Sequence, residues 1–161
     1  MTETFGRMHV DVAPTGELRL SGSIDETAAL PALVSRAHGG QLVIDLAGVS
    51  FINSLGVRDW IRMQQAAQQA HIAVELRRVS EPLVHQLNMI VATRGDARVS
   101  SFYAPYACDA CGREDSLLLD AIAYGDRLAR LDPPPQTCSE CGAQMAFNDF
   151  PERYFSFLAN G

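Results

Sequence analysis

With 161 residues and a mass of 17.5 kDa, the chain is long enough for one ordinary domain, or for one compact domain plus a small module that needs extra support. Hydrophobic residues make up 47% and charged residues 20%, a globular composition that excludes general disorder. A net charge of −6 and a pI near 5.1 argue against a general nucleic-acid binder, which needs a clustered basic surface. No apolar run reaches the roughly 18–20 residues needed to cross a bilayer. The first residues, Met-Thr-Glu-Thr-Phe-Gly-Arg, lack the apolar stretch of a signal peptide, so the expected address is the cytoplasm, without membrane insertion.

In chain order, the alternation in Met8-His9-Val10-Asp11-Val12 predicts a half-buried strand, and Pro14-Thr15-Gly16-Glu17 a turn into a second strand over Leu18–Gly22. From Asp25, a good N-cap, apolar residues at Ala29, Leu30, Leu33, Val34 and Ala37 predict a helix over 26–37, ended by His38-Gly39-Gly40. Leu42-Val43-Ile44 predicts a central strand covered on both faces. Ser54 stands where an N-cap belongs, ahead of a helix over 55–70 with Val57, Trp60, Ile61 and Gln64 on one side. Ile72–Leu76 reads as a strand. Ser80, Glu81 and Pro82 open a short helix whose buried side is Leu83, Val84, Leu87 and Ile90, and Arg98–Tyr103 reads as a last strand. Strands alternating with helices predict an α/β fold, a mixed sheet with parallel pairs and packed helices.

Composition shifts near residue 100. Residues 1–101 hold nine arginines against ten acids, whereas residues 102–161 hold four against nine, with nine of the twelve aromatics and all four cysteines. Two modules are expected, 1–101 and 102–161.

Leu20-Ser21-Gly22-Ser23-Ile24-Asp25 and the stretch from Val43 through Asp45-Leu46, Asn53-Ser54-Leu55-Gly56 to Val57 resemble the second strand, central strand and phosphorylation loop of STAS domains of the anti-sigma factor antagonist type, over roughly residues 8–101. The resemblance implies a STAS-like sheet. It also implies a serine phosphorylated by a cognate kinase that is itself the anti-sigma factor, and Ser54 occupies that position. Asp25, Asn53, Leu55 and Gly56 then fall on or near the partner surface. Two positions depart from the family pattern: Asn53 replaces its usual aspartate and Leu55 its second hydroxyl residue. Taken alone, Ser54 reads as a plain helix cap, and Asp25 likewise.

Cys108-Asp109-Ala110-Cys111-Gly112 and Cys138-Ser139-Glu140-Cys141-Gly142 are two copies of one turn that places two sulfurs together, and a pair of such turns supplies four ligands for a structural, tetrahedral zinc. The cysteine turns resemble those of a zinc ribbon. A closed four-sulfur shell is unsuited to catalysis, and His9, His38, His71 and His85 lie outside the module without ligand spacing. Between the turns, 116–123 is expected as a strand or a surface against the first module, and Pro133-Pro134-Pro135 as an extended approach. The aromatic tail turns at Asp149 and Pro151 into a short helix whose apolar side includes Tyr154, Phe155 and Leu158. It either seals the core or docks another protein or a second copy. No nucleophile with a base, paired carboxylates or phosphate loop occurs at a credible spacing, so the expected function is non-enzymatic regulatory protein binding. The alternative is a constitutive scaffold or adaptor with a zinc-stabilised second interface.

Overall fold

In the computed structural model, which describes residues 2–159, a first sheet runs in strict sequence order: β1 (Thr2–Phe5), β2 (Met8–Val12), β3 (Leu18–Ile24), β4 (Gln41–Ile52), β5 (Ala73–Arg77) and β6 (Arg98–Val99). The first three strands pair antiparallel, and β3 to β6 pair parallel through crossovers that contain α1 (Ser54–Gln69) and α2 (Glu81–Met89). The sheet is therefore mixed, and the fold is α/β.

One face carries the core. Met8, Val10, Leu18, Leu20, Leu42, Ile44, Val74 and Leu76 are buried, while the alternating His9, Arg19 and Arg77 are exposed and Val43 is half-buried. The expectation that Leu42–Ile44 is covered on both faces is thus corrected. The opposite face is a solvated lattice of charge, with Arg77 bridging Glu17 and Glu75. In α1, Val57, Trp60, Met63, Gln64 and Ala67 face inward at helical spacing, and Ile61 is only half-buried. The Trp60 indole donates to the Thr93 carbonyl at 2.7 Å, and the buried Gln64 amide donates to the Thr93 and Arg94 carbonyls, fixing the approach to β6.

The expected helix over 26–37 is instead a short 3-10 segment, Leu30–Arg36, preceded by Ala29 in a left-handed conformation. Pro31 explains the difference, because it has no N–H and disfavours an α conformation at the residue before it. Asp25 does not cap this segment; its carboxylate accepts from the Thr27 amide and hydroxyl, closing a local turn. At α2 the N-cap Ser80 makes no side-chain cap bond, since Pro82 offers no N–H and the Leu83 amide already bonds the Ser80 carbonyl. Its hydroxyl is buried without a partner among the described residues.

The strand expected at 98–103 divides at Ser100. Arg98 and Val99 stay beside β5, and the chain changes sheet at β7 (Ser101–Ala107). β7 pairs antiparallel with β8 (Glu114–Asp120) on one side and, past α3 (Gly125–Ala129) and β9 (Gln136–Thr137), with β10 (Gln144–Phe147) on the other. The tail forms α4 (Pro151–Tyr154) and a 3-10 turn, Ser156–Leu158. Val79 bridges β7, with the Tyr103 amide donating to the Val79 carbonyl at 2.8 Å.

The buried residues of both sheets form one continuous core. Phe102 packs edge-on against Phe155 and Phe157, with ring centroids at 6.0 and 5.1 Å, and the Tyr154 hydroxyl donates to the Tyr103 carbonyl. Asn88 of α2 clasps the tail: its amide donates to the Tyr154 carbonyl, and its oxygen accepts from the Ser156 hydroxyl and the Phe157 amide. Of the two readings of the tail, Tyr154, Phe155 and Phe157 support the core; Leu158 is half-buried. Among the described residues, no helix is long and apolar enough to cross a membrane.

Candidate metal centre and helix-tip surface

The two cysteine turns close with the same hydrogen bonds. The Gly112 amide donates to the Cys108 carbonyl and the Cys108 amide to the Arg113 carbonyl; the Gly142 amide donates to Cys138, and the Cys138 amide to Ala143. Gly112 and Gly142, at φ of 77° and 76°, supply the left-handed step that lets each turn curl back on its first sulfur. Cys108 and Cys111 follow β7, Cys138 and Cys141 precede β10, and the pairing of these two strands brings the turns face to face.

All four sulfurs lie within 4.8 Å of one another, none in a disulfide. The closest pairs cross between the turns, Cys108 to Cys141 at 3.5 Å and Cys111 to Cys138 at 3.6 Å. Sulfurs at the corners of a tetrahedron about 2.3 Å from its centre would stand about 3.8 Å apart, so the donor set fits a structural metal. The local electrostatics agree. The Cys141 and Glu140 amides favour the Cys138 thiolate and bring that thiol down to about 7. The Arg113 amide favours the Cys111 thiolate, but desolvation and the three neighbouring sulfurs outweigh it and push that thiol up to about 12. Four thiolates this close repel one another, and a bound cation removes the conflict. Arg113 joins the turns from outside, bonded to Asp115 and to Glu140 of the other turn.

The second cluster lies at the N-terminal tip of α1. Asn53, not Ser54, is the N-cap: its side-chain oxygen accepts from the Gly56 amide at 2.8 Å, and its amide donates to Glu26. The cap expected at Ser54 is thereby corrected. Ser54 is the first helical residue, exposed, and its hydroxyl has no hydrogen bond among the described residues. Beside it, Phe51 is 55% and Leu55 40% exposed. Gly56 is buried where the helix meets the end of β3; a Cβ there would stand 2.3 Å from the Ile24 carbonyl oxygen, so a larger residue would push the tip away.

Asp25 follows β3 directly, and its neighbour Glu26 reaches Asn53, so the sequence-derived residues of this region do gather at one tip. No hydrogen bond or ion pair among the described residues joins them to the cysteine centre. Sequence reasoning missed Phe51 as an exposed apolar flank. The strand pattern hides it: plain alternation would put Phe51 on the face of the buried Val49, but the pairing with β3 shifts register between Gly22 and Ser23, so Ser50 is an extra residue that turns Phe51 outward and Ile52 inward. Compared with known proteins, the chain matches no family model and has no significant match among curated sequences.

Proposed function

We propose that the chain is a non-catalytic regulatory module that binds a protein partner at the α1 tip, in the manner of anti-sigma factor antagonists, with Ser54 as its phosphorylation switch and a structural Zn2+ held by Cys108, Cys111, Cys138 and Cys141. The observation that carries this reading is the division of labour at the tip. Asn53 satisfies the cap, which leaves the Ser54 hydroxyl exposed and uncommitted between two exposed apolar side chains. Phe51 and Leu55 supply apolar contact area, and a phosphate on Ser54 would be tolerated by the positive end of α1. That phosphate adds about −1.5 to −2 charges at the centre of the contact and repels an apolar or acidic partner.

The partner would be a serine kinase of the anti-sigma type. Zinc is favoured by the soft all-sulfur shell, and its role is to hold the turns together. The test combines mass spectrometry of the protein from its own cell with binding of Ser54→Ala and Ser54→Asp variants. Phosphate on Ser54, with binding kept by Ser54→Ala and lost by Ser54→Asp, is expected. Equal binding by both variants overturns the switch and leaves a constitutive adaptor. Elemental analysis should find stoichiometric zinc that is lost in Cys111→Ser.

A further inference from the structure

Away from both clusters, a cavity of about 480 Å³ opens between α3 and the tail, lined by Ala121, Leu128, Leu131, Phe155 and Leu158, with Glu152 the only charged side chain in its wall among the described residues. Its size falls in the range of small-molecule sites, and the buried side chains of Leu128 and Phe155 line it. Glu152 is exposed and makes no ion pair or hydrogen bond among the described residues, whereas neighbouring charges are spoken for: Arg127 by Asp132, and Arg153 by Asp149. Arg130 does not line the cavity. Ser156 lines it too, but its hydroxyl is already donated toward Asn88 and the Arg153 carbonyl.

The backbone carries an independent sign at Leu131. The Leu131 amide donates to the Leu128 carbonyl and the Asp132 amide to the Arg127 carbonyl, the paired bonds of a helix end that turns through a left-handed residue. That position favours glycine, yet leucine holds it at φ 59°, 41% exposed, with its side chain on the cavity wall. A residue kept against its backbone preference points to a use for its side chain.

We infer that this cavity binds a small hydrophobic amine in its protonated form, the apolar body against Leu128, Leu131 and Phe155 and the ammonium at Glu152. An acid of the same shape meets like charge at the rim and in a module that carries nine acids against four arginines. The inference is independent of the α1 tip and of the switch.

The test is a titration of the metal-loaded full chain, followed by amide NMR, with phenethylammonium, 2-phenylethanol and 3-phenylpropionate. The amine should saturate shifts at Gly125, Leu128, Phe155 and Leu158, and bind about tenfold more tightly than the carboxylate. Glu152→Gln should bring amine and alcohol to within about twofold. Leu131→Gly relieves the backbone strain, so it should keep or raise the melting temperature while weakening all three ligands. No saturable shift at these residues, a preference for the carboxylate, or an amine preference unchanged in Glu152→Gln overturns the proposal.

Discussion

The two sheets reach stability by different means. The first buries an aliphatic face together with Trp60 and carries no cysteine. The second is small, its β8 is buried fully only at Leu119, and its closure relies on four cysteines and on aromatics contributed by the tail. Short segments that bury little surface can be held by a metal or by a neighbour's core; this module carries a four-cysteine donor set that fits the first and packs into the core of the first sheet for the second. The difference teaches that the modules are distinct in composition yet not independent in packing, because Asn88 of α2 clasps the tail, Val79 bridges β7 and the buried residues of both sheets form one core.

That dependence can be broken in graded steps. Chelation should have the largest effect, destabilising the second sheet by several kcal/mol, as structural metals do. Hydrogen exchange should show protection lost in β7 to β10 and reduced in α2, with β2 to β4 retaining theirs; an unchanged α2 would mean that the contact carries little energy. Phe102→Ala removes the ring at the junction and should cost about 3–5 kcal/mol in chemical denaturation of the metal-loaded protein. Asn88→Ala strands the tail's polar groups and should cost about 1–3 kcal/mol, with faster exchange at Phe157 before any change in the first sheet. Asn53→Ala should cost about 1 kcal/mol by loss of the α1 cap. Ser54→Ala should stay within about 0.5 kcal/mol, because that hydroxyl bonds nothing among the described residues. A reversal of the last two would return the cap to Ser54.

The sequence made most of the first sheet readable, because β2, β3, β5, α1 and α2 each keep one period over a full element. β1 escaped notice: Thr2–Phe5 has a single large apolar residue and forms by pairing with β2. At 26–37 the apolar residues keep helical spacing, but the run crosses Pro31, where the backbone rule outweighs the pattern. The break at Ser100 was hidden because an alternating strand looks the same whichever sheet it joins. Cysteine spacing identified the metal donors, since each turn is local. The exchange of roles between Asn53 and Ser54 was not legible, because either residue caps well and only the close approach at Gly56 decides which one does.

The order of strands also sets a timetable for folding. Each strand of the first sheet pairs with its neighbour in sequence, by short hairpin closures from β1 to β3 and by longer crossovers from β3 to β6. β10 must instead come back past β8, α3 and β9 to reach β7, a slower search, and metal capture by the two turns would fix its result. A newly made chain deprived of metal would therefore carry a finished first sheet with Phe102, Phe155 and Phe157 uncovered, the kind of late intermediate that aggregates or attracts a chaperone.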